Sequence, residues 1–360
     1  MLWRFHAFRL NGDGTETPLA WDVPLQDVGV QQAINGQGGI DAKISPEVAR
    51  MVTGNGEPVL VPWSTAIYAE AAGKIHGAGI VDDLDADGPA LTINARGFTG
   101  YLAGMPYYGD LSVVQTDPLD IVRRIWRDQQ AFKRGNLGMT VATTKSTVRV
   151  GEQQESKGGP YQLSWWKTDD LGKEIDDLAA STPFEYRESH SWSGERVAHK
   201  LELGAPRLGG RRTDLRFVVG ENVKPAKLEW QGEDYADEIL LLGSGEGRKM
   251  IRGSAQRQTD RLRRPRVVQD KKVTDLKRAA QLAEAQLKFA LGDVDTQEFT
   301  VRNHPNAPIG SWAVGDDVFF QSRGDWHDSV SLWMRVLSQT ITPERDEVTV
   351  RVARSDKAVA

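Results

Sequence analysis

Alternation of period two opens the chain. Trp3, Phe5 and Phe8 with Leu10 read as a strand, Asn11-Gly12-Asp13-Gly14 as a turn, and Leu19 to Val23 as a returning strand. Val59 to Val61, Ile75 to Ile80 and Ala90 to Ala95 continue the series, the last two separated by the stretch Asp82-Asp83-Leu84-Asp85-Ala86-Asp87-Gly88. Short strands with frequent turns suggest a sandwich or barrel. The period then changes. Asp117-Pro118 supplies an N-cap carboxylate and a proline suited to the first helical position, ahead of Leu119, Ile121, Val122, Ile125 and Trp126 at helical spacing. A second helix is expected after Thr168, where Leu171, Ile175, Leu178 and Ala179 form a stripe that stops before Pro183. Phe184-Glu185-Tyr186 and Trp192 read as strands that complete a small α+β domain.

Strands resume at Leu201 to Leu203, Arg216 to Val219, Ala226 to Trp230 and Glu238 to Leu242. Thr274 is placed to cap a helix with Leu276, Ala280, Leu282, Ala283, Leu287 and Leu291 on its apolar side, and Gly292 suits its stop. Phe299 with Val301, Val318 to Phe320, Trp333 to Val336 and the alternating Val348 to Val352 close the series. No internal repeat interrupts it.

Composition narrows the picture. At 360 residues the chain is long enough for two or three domains. The 36 glycines, about a tenth of the residues, suit a turn-rich β protein. Cysteine is absent, which removes disulfides, thiolate metal sites and cysteine nucleophiles together. No window of about 18 apolar residues occurs, so neither a signal peptide nor a spanning helix is expected, and no membrane binding is evident. A net charge of −5 argues against general nucleic-acid affinity, which needs clustered positive charge.

One such cluster exists. From Arg248 to Arg278 the chain carries twelve Lys or Arg against three acids. Arg248, Lys249, Arg252, Arg257, Arg261, Arg263, Arg264 and Arg266 are the candidate interface residues, in a loop or edge strand beside Pro265. Solvent, another subunit, an acidic partner or nucleic acid could each face them, although stacking aromatics are not interleaved. Eleven tryptophans, several in expected loops, suit large contact surfaces.

Candidates for chemistry are weak. Gly243-Ser244-Gly245-Glu246-Gly247 follows an apolar strand but lacks the glycine or Gly-Lys-Ser/Thr ending of a phosphate loop, so a turn is expected. His6, His76, His190, His199, His304 and His327 contain no i, i+4 pair. Asp325-Trp326-His327-Asp328 reads as a hairpin tip. Of the acid pairs Asp82-Asp83, Asp169-Asp170 and Asp316-Asp317, the second fits a helix N-terminus and the third a turn opening a strand. No catalytic, metal or cofactor residue is therefore nominated.

Order and spacing carry a resemblance. Ala226-Lys227-Leu228-Glu229-Trp230, then Asp234-Tyr235-Ala236-Asp237-Glu238-Ile239-Leu240-Leu241-Leu242 running into the glycine-rich turn, resembles a segment of actinobacteriophage minor tail proteins. Arg264-Pro265-Arg266-Val267-Val268, the later helix, Phe299-Thr300-Val301-Arg302, Trp312-Ala313-Val314-Gly315-Asp316-Asp317-Val318 and the terminal Val348 to Ser355 strand follow in the same order. The likeness extends over about 220–356 in motif and over 1–220 in plan. It is to the siphophage baseplate hub, the N-terminal hub part of tail-associated lysins.

That resemblance implies a β-rich α+β fold with two β-barrel-like, tube-forming domains. The first would be 1–115, completed by about 200–225, with an inserted α+β domain over 116–200. The second would be 226–360, with a helix inserted at about 274–291. It also implies a non-enzymatic homotrimer at the tail tip of the virion, made in the host cytoplasm. Its partners would be the distal tail protein and other tail-tip proteins, with the tape measure protein a further candidate and DNA only as passing cargo. Two rivals stand beside it: a phage-borne envelope-polysaccharide hydrolase, for which Asp325 and Asp328 are the available carboxylates, and a nucleic-acid binder using 248–278.

Overall fold

A computed structural model of the chain describes residues 1–87, 90–154, 159–226, 229–230, 232, 235–271, 273, 276–290, 294–324 and 327–355. Its largest element is a twelve-stranded sheet. From one end the strands run Glu16–Ala20, Trp3–Leu10, Thr65–Ala71, Lys74–Asp87, Ala90–Arg96, Gly39–Ile44, Gln26–Ala33, His327–Thr342, Asp317–Gly324 and Arg211–Val218. Glu347–Arg354 also pairs with the long His327–Thr342 strand, and Glu298–Arg302 adds beyond it. The two halves of the chain meet where Val30 to Ala33 pairs antiparallel with Ser338 to Ile341.

Around Trp3–Leu10, Thr65–Ala71 and Lys74–Asp87 the sheet buries both faces. In Thr65–Ala71, Ile67 and Ala69 enter one core while Ala66 and Tyr68 enter another, which is why this strand is apolar almost without a break. The first core gathers Val30, Ile40, Phe217, Phe299, Phe320 and Val350 from both ends of the sequence. In the second, Phe8, Tyr68 and Ile80 meet two helices and the hairpin Glu185–Ser193 with Arg196–Gly204.

Those helices form as their sequences dictate. Asp117 caps Pro118–Gln130, one carboxylate oxygen accepting from Leu119 N and the other from Ser146 N, both at 2.9 Å. Leu119, Ile121, Val122, Ile125 and Trp126 are its buried face, each worth roughly 1.5–3 kcal/mol of transfer free energy. Asp170 caps Leu171–Ser181 through Lys173 N at 2.9 Å, and Leu171, Ile175, Leu178 and Ala179 turn inward.

A separate unit lies between residues 235 and 290. Glu238–Leu242 is the centre of a three-stranded sheet, with Arg252–Gln256 antiparallel on one side and Pro265–Gln269 parallel on the other. Helix Leu276–Phe289 covers one face, packing Ala279, Ala283 and Leu287 on Ile239 and Leu241. Gly253 permits this approach, because a Cβ there would stand 2.3 Å from the Ala279 carbonyl carbon. The chain enters through Glu229–Trp230 and leaves through Val294–Asp295, which pair antiparallel.

Most expected elements are present and β structure dominates, but several expectations change. Among the described residues no sheet closes; strands from both expected barrel-like domains share the twelve-stranded sheet, while Glu238–Leu242, Arg252–Gln256 and Pro265–Gln269 form a sheet of their own. The pairing that joins them links residues about 300 apart in sequence, which local pattern cannot register. The acidic stretch after Val81 is strand through Asp87 rather than a separator. Val59 and Leu60 are buried without forming a strand, and Leu276, expected in the apolar stripe, is 62% exposed at the first turn of its helix. Gln26–Ala33, Gly39–Ile44 and Thr65–Ala71 were not marked as strands by pattern. Thr274, Leu291 and Gly292 lie outside the described residues.

Candidate assembly surfaces

The basic candidates all fall on the small unit, and the structure divides them. Arg248 and Lys249 occupy the 3-10 turn Gly247–Lys249 that ends the glycine-rich loop, whose Gly245 and Gly247 have φ of +99° and +54°. That backbone is a turn, as expected. Arg252 projects, exposed, from an edge strand, and Arg264 lies exposed just before the other edge strand, its amide N held by Asp237 Oδ1 at 2.7 Å. Arg248, Lys249, Arg252 and Arg264 form no ion pair among the described residues.

The others are tied into the unit. Arg257 is half-buried, and its Nη2 donates to the carbonyls of Ala236, Leu287 and Ala290 at 3.2–3.3 Å, satisfying the C-terminal end of the helix. Arg263 Nε donates to Glu238 at 3.0 Å. The Arg261 guanidinium lies 4.9 Å from the Tyr235 ring centroid. Arg266 is half-buried within the strand Pro265–Gln269. The candidate set is therefore two things, a structural scaffold and an open cationic surface.

A polar joint fastens the α+β lobe to the great sheet. Arg335, 1% exposed, donates from Nη1 to Gly315 O at 2.6 Å and from Nη2 to Leu208 O at 3.0 Å, and pairs with Glu185. Asp317 completes the group, 3.5 Å from Arg335 Nη1 and 3.2 Å from Arg207 Nη2. Gly209 and Gly315, with φ of +70° and +93°, let the two loops touch, since a Cβ on Gly209 would sit 2.3 Å from Gly315 O. Arg187, on the same hairpin strand as Glu185, adds an ion pair with Glu202 at 2.8 Å and reaches Val314 O at 2.5 Å.

A second group lies within the second core. The Nδ1 atoms of His190 and His199 are 2.9 Å apart, His199 Nε2 is 3.0 Å from Glu16 Oε1, and Tyr68 donates its hydroxyl to the same oxygen. Burial lowers the His199 pKa below its ordinary 6.5, against the hydrogen bond to Glu16. Burial and the Glu16 charge push the Tyr68 hydroxyl well up. These groups link strands from three parts of the chain, and within them His190 Nε2 and Glu16 Oε2 are buried with no hydrogen-bond partner among the described residues.

A cavity of about 320 Å³ lies between the two layers, lined by residues including Gly100, Trp126, Asp170, Asp176 and Tyr186. Its polar contribution is a bond from the Tyr186 hydroxyl to Asp176, whose carboxyl is raised by burial. Among the described residues no group of three or more His, Asp or Glu is placed to hold a metal ion. Asp325 lies outside the described residues, as does the side chain of Asp328. Trp21, Trp63, Trp165 and Trp166 are all more than half exposed.

Comparison with solved structures covers the chain end to end. It superposes on the 43 kDa tail protein of prophage MuSo2 from Shewanella oneidensis with a TM-score of 0.60 at 14% identity, over 99% of both chains. The fold is that of solved phage tail proteins. A tail protein from Neisseria meningitidis matches with a TM-score of 0.55 at 13% identity, over 99% of this chain and 97% of that one. Prophage tail protein gp18 from Listeria monocytogenes matches at 0.55 and 11%, over 98% and 95%. A chain of the Francisella PdpA–VgrG complex matches at 0.54 and 9%, over 99% of this chain and 53% of that one. No family model and no curated protein matches the sequence.

Sequence reasoning located the cationic surface and missed the joint. Glu185, Arg207, Asp317 and Arg335 are spread over 150 positions, and no local signal marks them as partners. The same holds for His199 and Glu16, which are 183 apart.

Proposed function

We propose that this chain is a non-catalytic structural subunit of a phage tail, a baseplate hub protein of the siphophage type. On this reading it assembles as a homotrimer that joins the sixfold tail tube to the threefold tip and surrounds part of the DNA channel. The observation that carries the reading is the match to solved tail-protein chains over 98–99% of this chain and 95–99% of theirs. Two strand groups in one subunit, each contributing a tube-matching barrel-like unit, would give a trimer six similar units. The 116–200 lobe would sit outside the ring, and the cationic surface would face protein rather than the lumen, where it would retain passing phosphate. Its neighbours would be the distal tail protein and other tail-tip proteins, with the tape measure protein a further candidate.

Native mass spectrometry of the full chain, followed by negative-stain imaging, tests this. A ring-shaped trimer with a central hole is expected. A compact monomer that degrades host envelope polysaccharide would overturn it.

A further inference from the structure

Among the described residues an acidic strand edge is open, and so is a strand edge of the small sheet beside its cationic, helix-free face. Strand Lys74–Asp87 runs past its neighbour: pairing with Thr65–Ala71 ends at Ile80, while pairing with Ala90–Arg96 continues to Asp87. Residues 83–87 thus have no strand on their outer side among the described residues. They carry Asp83 and Asp85, both exposed and in no ion pair among the described residues. At the base of this arm Asp82 is held by Arg96 Nε at 2.8 Å, and Asp41 beside it is raised above the ordinary carboxylate range, first by burial and then by the Asp82 charge.

The opposite edge is Pro265–Gln269, which pairs only with Glu238–Leu242 among the described residues. Register places Leu240 between Ser254 and Val267, and Leu242 between Arg252 and Gln269, on the face away from the helix. Val267 is 53% exposed and Leu262, in the preceding loop, 92%. Arg252, on the outer strand across Glu238–Leu242 from Val267, and Arg264, just before Pro265, flank this partly apolar face at opposite corners of the sheet, as charged residues rim a contact surface.

Charge decides what fits. Open edges are templates for strand pairing, yet acid against acid or base against base costs several kcal/mol. The acidic edge therefore rejects a second acidic edge and accepts the cationic face. A contact between two different faces of identical chains is heterologous, and when its rotation closes it generates a ring.

We infer that residues 83–87 of one copy dock on the cationic sheet of a second copy, with Asp83 and Asp85 facing Arg252 and Arg264, as the repeating contact of a closed ring. This rests on the homo-oligomeric reading above and adds which two faces meet. Opposed charges set the register and speed association, while Leu240, Leu242 and Val267 supply buried area.

The absence of cysteine makes the test direct. Full-length Asp85→Cys and Arg252→Cys chains, tagged differently, are mixed and treated with a short bismaleimide. Covalent dimers holding one of each are expected in excess over like pairs. Independently, Asp83→Lys with Asp85→Lys, or Arg252→Glu with Arg264→Glu, weakens self-association by about tenfold or more, and all four changes together restore it. An oligomer of the unaltered chain that survives both reversals, or cross-links no more between unlike than like chains, overturns the face assignment while leaving the homotrimer standing. An unaltered chain that stays monomeric to its solubility limit at low salt overturns both.

Discussion

The twelve-stranded sheet and the small unit around Glu238–Leu242 both pack helices on strands, yet they are held in different ways. The great sheet is covered on both faces where Trp3–Leu10, Thr65–Ala71 and Lys74–Asp87 run together, and its cores contain large side chains such as Phe8, Tyr68, Trp126, Phe217 and Phe320, all under 2% exposed. The small unit is covered on one face. Its core rests largely on Ala236, Ala279, Ala283 and Ala290 with Ile239 and Leu241, and its other face carries arginines and half-exposed leucines. A large double-sided core secures the first region. A thin single-sided core leaves the second with free apolar and cationic surface, as expected of a part that completes itself against a partner.

The largest effect tests the joint. Arg335→Ala leaves the half-buried Glu185 without its cation and the buried Asp317 with Arg207 alone, and a loss of about 3 kcal/mol is expected in denaturant unfolding of the whole protein. A loss no bigger than that of an exposed arginine would mean that the lobe and the sheet hold together without it.

Leu241→Ala, at a site 1% exposed, is expected to cost about 2–5 kcal/mol, confined to the small unit. Hydrogen exchange should lose protection over 236–290 while the great sheet keeps it. Equal loss in both regions would erase the contrast between two cores.

Asp117→Ala removes a cap and strands Ser146 N, costing about 1–2 kcal/mol in global stability. Global unfolding at fixed pH measures it, and no change would remove Asp117 from the account of that helix.

The smallest effect is a pH dependence seated in the great sheet's second core. His199 has a depressed folded-state pKa, so its unfolded form binds the proton more readily. Its contribution is fully present above the unfolded value near 6.5 and falls as pH drops below that toward the lower folded value. Unfolding free energies measured from pH 7.5 down to 5 should decline, and the decline should be shallower in His199→Gln. An identical profile in the variant would assign the dependence elsewhere.

Much of the fold was legible locally. Asp117-Pro118 and Asp170 marked helix starts because capping needs only neighbouring amides. Glu238–Leu242 followed from an apolar run that ends at Gly243, and Glu347–Arg354 from alternation. Strands Gln26–Ala33 and Gly39–Ile44 escaped because Gln, Gly and Asp dilute their pattern, and they become strands by pairing with their neighbours in the sheet. The cationic residues could be listed from sequence. Which were scaffold, as Arg257 is, and which remained open, as Arg252 is, could not.

The sequence by itself determined the periodicities, the caps, the turns and the clustering of positive charge, since each depends on residues a few positions apart. Only the tertiary structure decided that strands from both ends of the chain join in one twelve-stranded sheet, and that Arg335 meets Glu185. It alone showed that, among the described residues, an acidic strand edge and a cationic sheet face both stay uncovered. Those outcomes depend on contacts between residues 100 to 300 positions apart, whose register is set by the packing of whole faces and leaves no trace in local pattern.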